Sequence, residues 1–232
     1  MRKLKVMLAL LIATFVFQYC SKNESANLPT YDAIKAAFGT SIDPNNLFNY
    51  ANQTIPGYIR KDNTGSNPIS NAKATLGRVL FYDKNLSVNN SISCGSCHVQ
   101  AFAFGDTALA SNGLLGGLTG RHSMRLVNVR FAVESKFFWN ERAASLEAQT
   151  TQPVQDHAEM GFSGTDGRPA IDSLLRKLSS ISYYKELFTF VYGDTIVTEP
   201  RMQECLAQFV RSIQSFDAKY DAGRSQVAND NQ

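Results

Sequence analysis

The chain lacks an excess of charge of either sign, an apolar run of membrane length and a second cysteine pair. Its 23 Lys and Arg outnumber its 20 Asp and Glu only through Arg2, Lys3 and Lys5, in a leader with no acidic residue before Cys20. Beyond the leader the charges balance, which excludes the basic footprint of a nucleic-acid-binding protein. The apolar run Val6 to Phe17 is too short to span a bilayer, which takes about 20 residues. No internal repeat and no series of alternating apolar and polar residues is present, so a sheet architecture is not expected. What is present is a foldable composition, 44 % hydrophobic and 19 % charged over 232 residues. That suits one large or two small domains.

The basic residues Arg2 to Lys5 followed by Val6 to Phe17 read as the n- and h-regions of a secretory signal over residues 1–19. A buried N-terminal helix is the alternative. Cys20 opens the polar stretch Ser21-Lys22-Asn23-Glu24-Ser25 and resembles the start of a bacterial lipoprotein, although Tyr19 stands where a small residue usually precedes the cysteine. The expectation is export to the periplasm, either tethered through acyl chains on Cys20 or simply secreted. Membrane contact would then run only through that lipid anchor. Residues 20–70 read as a spacer and extension. They hold a short helix from Tyr31 to Phe38 that Gly39 ends, and a loop rich in Asn, Pro and Gly from Asp43 to Pro68.

From residue 71 the pattern turns helical. Asn71 to Phe81 places Leu76, Val79 and Leu80 on one face, and Gly105 to Gly120 is long, Gly-rich and irregular. Pro169 suits a first turn ahead of Ile171, Leu174, Leu175 and Leu178. Ser182 is placed to cap a helix carrying Leu187, Phe188 and Val191 that stops at Gly193. Thr198 and Pro200 open a third, with Met202, Leu206, Phe209, Ile213 and Phe216 on a core stripe bordered by Cys205. The expected fold is all-α.

Cys94-Gly95-Ser96-Cys97-His98 carries the chemistry. C-x-x-C-H is the attachment site of c-type haem: two thiols about a turn apart add to the porphyrin vinyl groups, and the adjacent histidine reaches the iron. A zinc site would need a second ligand pair, which Cys20, Cys205, His122 and His157 do not form. A thioredoxin-like reading would need a βαβ pattern. One haem c is therefore expected, with His98 as its metal ligand. Val99 to Gly120 holds no Met, His, Lys or Tyr. The first candidates for a sixth ligand are His122, Met124, His157 and Met160.

Three segments together resemble the bacterial di-haem cytochrome c peroxidases and their MauG-like relatives. Leu76-Gly77-Arg78-Val79-Leu80-Phe81-Tyr82-Asp83, Leu86-Ser87 and Ser91-Ile92-Ser93 lead into the haem motif. Gly120-Arg121-His122-Ser123 and Asn128 follow. Phe138-Trp139-Asn140-Glu141-Arg142-Ala143 then continues through Ser145-Leu146-Glu147-Ala148-Gln149 and Pro153 to Glu159-Met160-Gly161. The similarity runs from about Thr75 to Phe216. It implies a cytochrome c-like haem domain with long irregular loops over residues 71–225, carrying the peroxidatic haem on Cys94 and Cys97.

Glu159 and Gln149 fall where that family places its distal catalytic pair. A distal carboxylate can take a proton from peroxide and return it to the departing oxygen, and an amide can orient the peroxide. Trp139 matches a tryptophan lying between the family's two haems, with a large core anchor as its other reading. Arg121 and Arg142 either pair with haem propionates or face solvent. The implied reaction is reduction of hydrogen peroxide to water with electrons from a small cytochrome c or cupredoxin. MauG-like oxidation of a partner protein, or a mono-haem electron-transfer or haem-binding module, are the alternatives.

The departures are specific. The family's second C-x-x-C-H domain would begin where this chain ends, at Gln232, so the expectation is a fragment or a protein without its electron-input haem. His122 replaces an Asn that helps bind an interdomain calcium ion, which leaves calcium open. The loop after His98 lacks the histidine that blocks the resting iron in many members, so the ferric iron is expected to be five-coordinate or to carry only water.

Overall fold

The described residues of this computed structural model, 29–133 and 136–230, are helical, with isolated β-bridges and no extended strand among them. The leader and Cys20 lie outside the described residues. In chain order the helices are α1 (Asp32–Phe38), α2 (Asn71–Tyr82), α3 (Cys94–Cys97), α4 (Leu146–Thr150), α5 (Gln152–Gln155), α6 (Ile171–Ser180), α7 (Ser182–Tyr192), α8 (Glu199–Arg211) and α9 (Lys219–Asp230). The all-α expectation holds. From Tyr31 onward the chain forms one compact unit.

Its centre is the crossing of α2 and α8. Ser70 caps α2 by accepting from the Lys73 N–H. The periodic residues Leu76, Val79 and Leu80 are buried together with Phe81. Thr198 caps α8 in the same way, with Pro200 in the first turn. Met202, Cys205, Leu206 and Phe209 of α8 are buried against α2. The helices meet at Gly77, where a Cβ would lie 1.9 Å from the Cys205 carbonyl oxygen. Only a residue without a side chain allows that approach.

Three sequence expectations need correction. Pro169 lies outside α6, because Ala170 pairs with Ser163 in an isolated bridge and holds the chain extended until Ile171. Ser182 is already helical. Ile181 donates to Leu178 O and accepts from the Lys185 N–H, serving as the shared joint of α6 and α7. The stripe of α8 also ends early: the helix stops at Arg211, so the buried Ile213 and half-buried Phe216 follow it as irregular chain.

The region before α2 is fastened by side chains distant in sequence. α1 has no cap of its own, and Glu186 of α7 accepts from the Ala33 and Ile34 N–H groups at 3.0 and 2.9 Å. Asn71 accepts from the N–H groups of Tyr50 and Ala51. Asn67 donates to Glu147 and accepts from Gln208. Glu147 also pairs with Arg211, which is only 3 % exposed. Burial raises the Glu147 carboxyl, but hydrogen bonds from Arg211 and Asn67 prevail and hold it below its ordinary value.

Candidate active site

α3 is a single turn, and two serines shape it. The Ser93 N–H donates to Ser96 Oγ at 3.0 Å, which ties the start of the turn to its third residue. Gly95 sits against Tyr82, where a Cβ would come 2.7 Å from a ring carbon. Cys94 and Cys97 therefore leave the same short turn, and both thiols reach one cavity of about 540 Å³. Burial pushes the Cys94 thiol up to about 12 and raises Cys97 as well.

His98 ends that turn. Its Nδ1 donates to the Phe104 carbonyl at 2.9 Å, and a carbonyl partner requires the proton on Nδ1, so that Nε2 is the nitrogen that carries the lone pair. The carbonyl is presented by a tight loop in which Ala103 and Phe104 both have φ near +56° and Val99 bridges to Gly105. Burial lowers the His98 pKa against hydrogen bonds to the Phe104 and Met124 backbone. The ring is thus held neutral and oriented.

The same cavity gathers the residues nominated for attachment, ligation and catalysis: Cys94, Cys97, His98, Arg121, Trp139, Arg142, Gln149 and Glu159. Gln149 comes from α4. Glu159 comes from the turn after α5, where Asp156 Oδ1 accepts from the N–H groups of Ala158 and Glu159 at 2.8 and 3.1 Å. Burial, aided by the Asp156 charge, pushes the Glu159 carboxyl up to about 7, while Arg142 opposes them. Arg142 lies 3.5 Å over the Phe138 ring and donates to Gln152 and Asn140. Arg121 is exposed.

Trp139 is 62 % exposed and donates to the His122 carbonyl at 3.0 Å, so its core-anchor reading is excluded. Of the four candidate sixth ligands, His122, Met124 and Met160 line the cavity and His157 does not. Sequence reasoning missed the apolar wall of Phe81, Ile92, Leu126, Leu206 and Val210, and the acidic neighbour Asp156. Helical periodicity carried a signal for Phe81 and Leu206. Ile92 and Leu126 lie in irregular chain and gave none.

The di-haem cytochrome c peroxidase family matches residues 71–229. The chain belongs to it. Among curated relatives, the methylamine utilization protein MauG of Methylophilus methylotrophus is 31 % identical over 156 residues, 67 % of this chain and 44 % of that protein. The cytochrome-c peroxidase IdrP1 of Denitromonas iodatirespirans is 36 % identical over 141 residues, 61 % of this chain and 34 % of that protein. The chain thus spans less than half the length of these relatives. The crystal structure of a MauG-like protein associated with microbial copper homeostasis superposes with a TM-score of 0.65 at 29 % identity, covering 78 % of this chain and 51 % of that one. The diheme peroxidase BthA from Burkholderia thailandensis, at 21 % identity and a TM-score of 0.56, shares the fold.

The residues fit the haem c of a di-haem peroxidase. Paired thiols on one turn, an imidazole with its proton on Nδ1 and an apolar wall share a cavity within the usual range of about 300–1,000 Å³ for a bound organic group. Cys94 and Cys97 would hold it through thioethers and His98 would ligate its iron. When bound, haem c supplies the redox-active metal.

Proposed function

We propose that this domain is the peroxide-reducing half of a periplasmic haem peroxidase. The reaction takes H2O2, two electrons and two protons to two waters, and the electrons come from a small cytochrome c or a cupredoxin. The observation that carries this reading is a carboxylate raised to about 7 in the same cavity as the thiol pair and the oriented imidazole. Ionised Glu159 accepts a proton from bound peroxide and delivers it to the departing oxygen. The Gln149 amide orients the peroxide, and Arg121 and Arg142 offer cations to the propionates. Signal 1–19 delivers the chain to the periplasm, with Cys20 as its lipid anchor.

Acid-acetone extraction of the denatured protein is expected to leave the haem attached, and the Cys94→Ser/Cys97→Ser variant is expected to lose it. Stopped-flow mixing with peroxide tests the catalytic half. Glu159→Gln should keep haem content and slow the reaction by about 10²–10⁴-fold, the usual contribution of a positioned acid–base group. An unchanged rate would remove Glu159 from the mechanism. MauG-like oxidation of a partner protein is the second reading, favoured by the exposure of Trp139 at the cavity rim.

A further inference from the structure

A chain of aromatic rings leads from the haem-attachment turn to the surface on a path that avoids Trp139. Phe81 lines the cavity, and its ring centroid lies 6.4 Å from that of His98 and 5.0 Å from that of Tyr82. Tyr82 itself rests against Gly95, between the two attachment cysteines. From Tyr82 the path crosses Phe209 at 6.2 Å and reaches Tyr50 at a further 6.3 Å. The Tyr82 and Tyr50 phenols also lie close enough to interact electrostatically. The path ends at Phe48, 59 % exposed and 6.3 Å from Tyr50. Arg78 covers that end, with its guanidinium over Phe48 and a hydrogen bond to the Tyr50 hydroxyl at 3.5 Å.

We infer that Tyr82 and Tyr50 form a redox relay that gives up two electrons when peroxide is reduced without an external donor. Phenols are the readily oxidised groups on the path, and the phenylalanines between them serve as ring-to-ring bridges. The balance closes with peroxide as oxidant: H2O2 and two Tyr–OH give two H2O and two Tyr–O•. One O–O bond and two phenolic O–H bonds break. The protons consumed at the oxygen atoms equal those released by the phenols. Tyr82 is 43 % exposed, which puts solvent within reach of the residue as an acceptor for its proton. The relay would draw oxidising equivalents away from the haem site to a surface where a reductant can quench them. It rests on the peroxidase reading above.

The test uses mature, haem-loaded protein treated with peroxide without reductant, in the presence of a nitroso spin trap. Haem absorbance is followed in the same samples, and trap adducts are mapped by mass spectrometry. Adducts are expected on Tyr82 and Tyr50. Tyr82→Phe keeps the ring against Gly95 and removes only the phenol, so packing is preserved. It should abolish the first adduct and reduce the second severalfold. Tyr50→Phe should leave the Tyr82 adduct in place. A normal absorbance response with adducts confined to Trp139, or with the Tyr50 adduct unchanged in Tyr82→Phe, overturns the relay alone. Failure of the haem to respond to peroxide overturns the peroxidase reading and the relay with it.

Discussion

On the proposed peroxidase reading, a Glu159 carboxyl pushed up to about 7 gives the peroxide reaction a pH profile of definite sign. The base form does the work, so the rate should rise with pH through about 7 and level off above it. Burial is the larger cause of the shift and Asp156 the next. Asp156→Asn keeps an acceptor for the Ala158 and Glu159 N–H groups and removes the charge. Its rate profile, read by stopped flow, should move to lower pH with the plateau retained. Arg142→Gln should move it the other way. Glu159 was legible in the sequence only through its resemblance to a motif, because one carboxylate looks like any other until its surroundings are known. Cys94, Cys97 and His98 were legible outright, since adjacency in the chain is itself the chemical requirement. The proton position on His98 was not, because it depends on a carbonyl presented by a left-handed turn at Ala103 and Phe104.

Helices carry a different kind of information. The apolar faces of α2 and α8 follow from a 3.6-residue period, and the structure buries them as expected. Their ends were less legible, since Ile181 and Ala170 are fixed by hydrogen bonds that no local preference announces. The Glu186 cap on α1 reaches across more than 150 residues and leaves no local trace at all. At the crossing of α2 and α8 two effects of one substitution oppose each other. Gly77→Ala gains about 1 kcal/mol of helix propensity. It also drives a methyl group to 1.9 Å from a backbone oxygen, which cannot move unless α8 moves. Overpacking costs about 1–3 kcal/mol, occasionally more, and a clash with backbone belongs at the upper end. Thermal melting should therefore show a lower Tm for Gly77→Ala despite its better helix former.

On the scale of the whole molecule, the cavity is assembled from segments spread between Phe81 and Val210. That assembly is why its apolar wall was invisible from any one window of sequence. The same assembly bears on the resting iron. Met160 is packed in the core and His157 lies outside the cavity lining, which leaves His122 and Met124 as the candidates that the lining retains. Val99 to Gly120 supplies no ligating side chain. Electron paramagnetic resonance of the oxidised protein should give a high-spin ferric signal. A wholly low-spin spectrum would instead assign a strong sixth ligand, with His122→Ala and Met124→Leu as the variants that identify it.

The close contact of Gly77 with Cys205 also has an analytical use. Haem attachment at Cys94 and Cys97 would consume both as thioethers. Among the described residues Cys205 is then the one remaining thiol, fully buried between α2 and α8. An alkylating reagent meets it only when the two helices part, so its labelling rate counts openings of the domain centre. Mass spectrometry of timed alkylation should show slower modification once haem is attached, because ligation by His98 and packing against the apolar wall would be available to it only in the folded state, and faster modification in Gly77→Ala. One buried sulfur thereby serves as a clock for the integrity of the fold around the site.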